Sequence, residues 1–124
     1  MSDASYLDWP FFDERHRALA LELNSWAAVN IDQAHGHDVD AECRALVKQL
    51  GADGWLAHAV GGTAWGGAAD AIDTRSICLL RETLARYSGL ADFAFAMQGL
   101  GSGAISLAGS DAASSRTRAT PCDG

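Results

Sequence analysis

The sequence predicts an all-α domain, an antiparallel bundle of about four main helices, and three observations carry that prediction. Apolar residues recur at steps of three, four and seven in four separate stretches, the spacing of one face of a helix. No stretch alternates apolar and polar residues for long enough to make a sheet. Breaks containing glycine or other turn residues divide the stretches, and the connections are short enough for neighbouring helices to pack antiparallel. A chain of 124 residues, 48% apolar, can bury one core of its own but is too short for two ordinary domains. The helices are expected near 12–31, 38–51, 70–88 and 90–108.

The first helix begins around Pro10 to Asp13, because proline suits a first helical position and Asp13 and Glu14 oppose the positive end of the helix dipole. Phe12, Leu19, Leu23, Trp26 and Ala27 form its apolar face. A polar loop at 32–37 follows, and Asp38 caps the second helix, whose stripe is Val39, Cys43, Leu46, Val47 and Leu50. Gly51 or Gly54 ends that helix. The short apolar run Trp55 to Val60 is expected to be extended. Four glycines between Gly61 and Gly67 make a tight loop. The third helix, from about Asp70 to Tyr87, turns Ile72, Leu79, Leu80, Thr83, Leu84 and Tyr87 inward, while Asp73, Arg75, Arg81, Glu82 and Arg86 face water. The fourth differs in kind. Between Asp92 and Asp111 it carries no charge, so it is expected to be the most buried helix of the bundle.

Charge and composition exclude several classes of function. A net charge of −7 with no cluster of Lys and Arg argues against nucleic acid as a partner. No apolar run reaches the about 18–20 residues that span a bilayer. The start lacks a cationic segment followed by an apolar one, so no secretory signal is read and a cytoplasmic location is expected. Cys43, Cys78 and Cys122, odd in number and widely spaced, read as reduced thiols.

The candidates for chemistry each have a plain alternative. Gly99-Leu100-Gly101-Ser102-Gly103 could open a dinucleotide-binding turn, but no second strand or distant acid completes the unit, and small-residue packing within a helix accounts for it better. His35, His37, Asp38, Asp40 and Cys43 form a loose set of possible metal ligands, yet the two aspartates already serve the helix start and Cys43 the apolar stripe; no metal is assigned. His16 and His58 stand near no nucleophile in an identifiable motif. Ser88, Ser102 and Ser106 lack a Gly-x-Ser-x-Gly setting. Trp9, Trp26, Trp55 and Trp65 read as packing residues, and no catalytic residue is assigned.

Four motifs occur in order: Leu50-Gly51-Ala52-Asp53-Gly54-Trp55-Leu56; Val60 followed by Gly62-Thr63-Ala64-Trp65-Gly66-Gly67; Leu79-Leu80-Arg81-Glu82-Thr83-Leu84-Ala85-Arg86; and Ala108-Gly109-Ser110-Asp111. Together, over about 11–111, they resemble the amino-terminal helical domain of the acyl-CoA dehydrogenase family, with Gly62 in place of the usual proline. The resemblance implies a flavoprotein oxidoreductase of fatty acid metabolism, in which FAD accepts electrons in the α,β-dehydrogenation of an acyl-CoA. In that family FAD is held mainly by the middle and carboxy-terminal domains, and the proton-abstracting glutamate comes from the carboxy-terminal one. The chain is therefore expected to be a truncated member, inactive alone and without retained FAD. By position in the apolar helix, Phe93, Ala96, Met97 and Leu100 resemble the residues that line the acyl pocket, with ordinary core packing as the alternative. The expected organisation is an extension at 1–10, the family-like domain at 11–112 and a disordered tail at 113–124, where the family pattern stops and the composition resembles out-of-frame translation. A reading from a different class is a small helical interaction module without catalysis, docking on a partner protein or self-associating through exposed apolar surface.

Overall fold

The computed structural model describes residues 3–31 and 36–116, with backbone alone for 114–116. Four main helices are present: α1 (Glu14–Asn30), α2 (Val39–Ala52), α3 (Thr74–Tyr87) and α4 (Gly89–Ala108), followed by a short α5 (Asp111–Arg116). Single turns of 3-10 helix lie at Ser5–Asp8, Trp55–Ala59 and Thr63–Trp65. Among the described residues there is no strand, only an isolated bridge between Gly61 and Ala69. The expected all-α bundle is the observed fold.

Side-chain caps set the helix boundaries. Asp13 sits outside α1 and accepts the Arg15 backbone N–H at 3.1 Å, while the Asp13 N–H donates to Nδ1 of His16 at 3.1 Å. His16 thus takes the place that Glu or Gln fills in a capping box. That reciprocal cap moves the start of α1 past Pro10, which lies in the preceding turn. Asp38 caps α2 as expected, accepting from Ala41 N–H at 3.0 Å. The third helix starts at Thr74, later than its sequence pattern suggests. Asp70 is drawn back to the glycine loop by the Thr63 hydroxyl at 2.6 Å, and Asp73 supplies the cap. Ser88 alone joins α3 to α4: its N–H donates to Leu84 O at 2.8 Å and its hydroxyl accepts from Ala91 N–H at 3.3 Å.

The run Trp55–Ala59 is a 3-10 turn rather than an extended segment. Gly54, at φ 86°, turns the chain through a left-handed conformation that suits glycine, and Ala57 N–H then closes on Gly54 O at 3.2 Å. The glycine loop that follows is shut tightly on itself. Gly67 N–H reaches Gly62 O at 3.0 Å, and a Cβ on Gly67 would come within 2.3 Å of Val60 O.

In the packing, α1 lies on α3, α3 on α4, and α4 on α2, with the Trp55–Ala59 turn wedged against α2 and α4. Leu23, Ala27, Leu46, Leu50, Leu80, Leu84 and Phe95 are central to the core. Of the helices, α3 is the one sealed along a full face: Ser76, Leu79, Leu80, Thr83 and Leu84 are all buried. The expectation that the fourth helix is the most buried is corrected here. Over twenty residues α4 buries Ala91, Ala94, Phe95 and Ser102, and its other side is open. A chargeless helix needs apolar neighbours all round, and this chain supplies them on one side only.

Candidate functional site

The open side of α4 groups four exposed large apolar side chains on one helix. Phe93, Met97, Leu100 and Leu107 are 55, 45, 72 and 80% exposed, and Ala96 is half-buried beside them. At helical spacing these side chains share one face, opposite Phe95 and Ser102. All four residues singled out from the sequence, Phe93, Ala96, Met97 and Leu100, are therefore brought together, on an open surface and not in the core. A contiguous apolar strip of this kind marks a surface made to be covered.

The inner side of α4 fixes the direction in which that strip faces. The Ser102 hydroxyl lies 3.0 Å from Ala59 O and 2.9 Å from Gln98 O, and Ser106 Oγ accepts the Gly61 N–H at 3.2 Å. The Ala59 methyl lies 3.7 Å from where a Cβ on Gly99 would stand, an ordinary packing distance. These contacts lock the carboxy-terminal half of α4 to the Trp55–Gly61 segment. The glycine run 99–103 lies within continuous helix, so its amides belong to the helix ladder and do not form a dinucleotide-binding turn.

A second cluster joins α1 to α3 and was not legible as such in the sequence. His16 is fully buried, and its Nε2 lies 2.7 Å from Asp73 Oδ2. Because Asp13 N–H occupies Nδ1, the proton facing Asp73 sits on Nε2. Asp73 also accepts from the Ser76 hydroxyl at 3.0 Å, Arg75 Nε at 3.2 Å and Arg15 Nη2 at 3.2 Å. Burial works to raise the Asp73 carboxyl, but hydrogen bonds from His16, Ser76 and Arg75 outweigh it and hold the group well below its usual range. Asp73 is thus an inward-facing hub rather than the solvated charge its sequence position suggests. The local spacings that belong to it, Asp13 three residues before His16 and Asp73 three before Ser76, do not by themselves join the two helices. The hydroxyl of Ser76 is committed to Asp73, so the cluster has the chemistry of a clamp between helices.

An open cleft of about 500 Å3 lies beside this clamp, between α1 and the 53–71 segment, with Glu22, Trp55, His58, Asp73 and Ser76 in its lining. His58 stacks on Trp55 with ring centres 6.5 Å apart, and Trp55 packs on Trp26 at 5.6 Å. Burial pushes the His58 imidazole below its ordinary value, against the opposing pull of Glu22 and Asp73. Trp26 Nε1 donates to Asp53 at 2.8 Å, whereas the buried Trp55 Nε1 has no partner among the described residues.

Of the loose metal-ligand set, His35 lies outside the described residues. Asp38 caps α2, Asp40 is in its first turn and Cys43 is half-buried in its apolar stripe. Among the described residues no group of three or more His, Cys, Asp or Glu could hold a metal ion. No described helix is long and apolar enough to cross a membrane. Cys122 lies outside the described residues, as does most of the tail expected to be disordered; its first residues, 113–116, continue α5.

The model of one protein family, described as acyl-CoA dehydrogenase, N-terminal domain, matches residues 13–120. The match covers most of the chain and runs past Ala112, the point at which the recognisable motifs give out. No curated protein matches the chain.

Proposed function

The chain belongs to the acyl-CoA dehydrogenase family through its amino-terminal domain, and we propose that the open face of α4 is one wall of an acyl pocket. Phe93, Ala96, Met97 and Leu100 present apolar surface to the acyl chain of the thioester. The contribution is binding and water exclusion: these residues carry no group able to move a proton, and the clamp and cleft lie on other elements. The observation behind the reading is the apolar strip itself, exposed on a helix inside the matched family domain.

In the family reaction FAD accepts the electrons removed from the α,β-bond. Among the described residues, the one candidate for a dinucleotide-binding turn, Gly99 to Gly103, is part of α4, and no step is assigned to the flavin here. The proposed role of the chain is therefore that of a substrate-side wall, with no turnover by itself. Two measurements test this. Methyl resonances of Met97 and Leu100 should shift on titration with acyl-CoA, more with longer acyl chains, while those of Leu23 and Leu80 in the core should not. The purified chain should also be colourless and silent in an electron-acceptor assay. Stoichiometric yellow flavin surviving gel filtration would show that the site is misplaced, and unmoved Met97 and Leu100 resonances would remove the acyl wall.

The same strip favours a second reading, a helical interaction module that docks on a protein without catalysis, since apolar patches of several hundred Å2 mark protein contacts as well as ligand walls.

A further inference from the structure

We propose that in the isolated chain the open face of α4 is covered by the same face of a second copy, in an antiparallel pair whose two-fold axis passes at Leu100. This goes beyond the acyl-wall reading, because it assigns what covers that face when no substrate is present.

The spacing of the face is that of a helix made to pack on a helix. Phe93, Met97, Leu100, Ala104 and Leu107 follow one another at intervals of four, three, four and three, the repeat of an interhelical seam. An antiparallel pairing centred on Leu100 sets that residue against its own copy, Phe93 against Leu107, Ala96 against Ala104 and Met97 against Gly103. Large side chains thus meet leucine or a gap, and small ones meet small.

Gly103, like Gly101, is a glycine of α4 that packing within one chain does not require, and of the two it is Gly103 that the pairing sets against a large side chain. A Cβ built there meets nothing within 4 Å, and its φ is not positive, so neither crowding nor backbone conformation calls for glycine. Glycine nevertheless weakens a helix relative to alanine. In the pair, the space at Gly103 seats Met97 of the other copy.

Electrostatics agrees. No charged residue lies between Asp92 and Asp111, and Asp92 is held by Arg81 at 2.8 and 3.0 Å, so the contact strips no ion of its water. The dipoles of the two α4 helices run opposite ways. The exposed stripe on both copies amounts to on the order of 1,000 Å2, the lower end for a specific interface. Each copy carries −7, so the pair forms against a general repulsion that salt screens.

Sedimentation equilibrium on the full chain, without acyl-CoA, is the first test. The chain should dimerise, more tightly as ionic strength rises, and L100E should weaken the dimer at least tenfold. G103L should weaken it too, with helicity by circular dichroism unchanged. Cysteine pairing gives the geometry independently of these variants. In a C78S/C122S background, oxidation should link L100C to itself, whereas L107C should link only when mixed with F93C. A chain that stays monomeric at every concentration overturns the proposal, as does self-linking of L107C as efficient as that of L100C. If the Met97 and Leu100 resonances still answer to acyl-CoA in a monomeric chain, the dimer fails and the acyl wall survives. Resonances that do not answer at a dilution where the chain is monomeric remove the acyl wall and leave the pairing standing.

Discussion

Helices α3 and α4 are joined by Ser88 and packed on each other, yet they meet water in opposite ways. The first is amphipathic. It buries a complete face and turns Arg75, Arg81, Glu82 and Arg86 outward. The second is apolar on both sides, burying Phe95 and Ser102 while Leu100 and Leu107 stand in solvent. Composition alone ranks α4 as the deeper helix. Packing reverses that rank, because burial depends on what lies opposite, and the described chain has nothing opposite the outer face of α4. An apolar helix with one unpartnered side is a surface awaiting an occupant.

The sharpest way to break this comparison is to truncate α4 on each side. Phe95→Ala removes a fully buried ring between α4 and the rest of the core and should cost about 3–5 kcal/mol. Leu100→Ala, on the open side, should change the stability of the monomer by about 0.5 kcal/mol or less. Urea unfolding of both variants, at a concentration where the chain is monomeric, checks the pair. Equal losses would mean that the outer face is packed.

The next effect belongs to the clamp under α3. Asp73→Ala removes a helix cap and strands the buried Nε2–H of His16, and should cost about 2–4 kcal/mol. The pH dependence has a definite sign. The folded-state Asp73 carboxyl is held below its ordinary 3.8, so its contribution is present above that value and is lost as pH falls through the lower folded value. His58 is depressed from 6.5 by burial and binds its proton more readily when unfolded, so acidification below about pH 6.5 already erodes stability. Replacing His58 with Gln should flatten the profile just below pH 6.5, and replacing Asp73 with Asn should flatten it below 3.8. Both are read from chemical denaturation across pH.

Much of this fold was legible before the structure. The four helices follow from the periodicity, and the cap at Asp38 from its residue type. What escaped was set by tertiary partners. Asp73 reads as a solvated charge because nothing local reveals His16, 57 residues earlier in the chain, across the bundle. Trp55–Ala59 reads as extended because the turn depends on the left-handed Gly54 and on α4 pressing from behind. For the open face, the residues were identifiable and their exposure was not. Phe93 and Phe95 are alike in type and two positions apart, so they fall on opposite sides of the helix. Only the neighbours decide which side is the core.

A smaller loss is expected from Ser102, the hydroxyl that ties α4 to the Trp55–Ala59 turn. Ser102→Ala leaves Ala59 O without that donor and should cost about 1–2 kcal/mol, read as a lower urea midpoint with an unchanged slope.

The smallest effect has the opposite sign. Gly101 is exposed in α4, has no positive φ, and a Cβ there meets nothing within 4 Å. Alanine at 101 should therefore stabilise the monomer by about 0.5–1 kcal/mol, through a lower conformational entropy in the unfolded chain and better helix propensity. The same change at Gly67 should destabilise, since the added carbon would sit 2.3 Å from Val60 O. Thermal melts of the two variants separate a glycine kept for the packing of this chain from one that the chain itself does not require. A loss of stability in Gly101→Ala would place some neighbour against that side of α4 and narrow the open face to its Phe93–Leu107 strip.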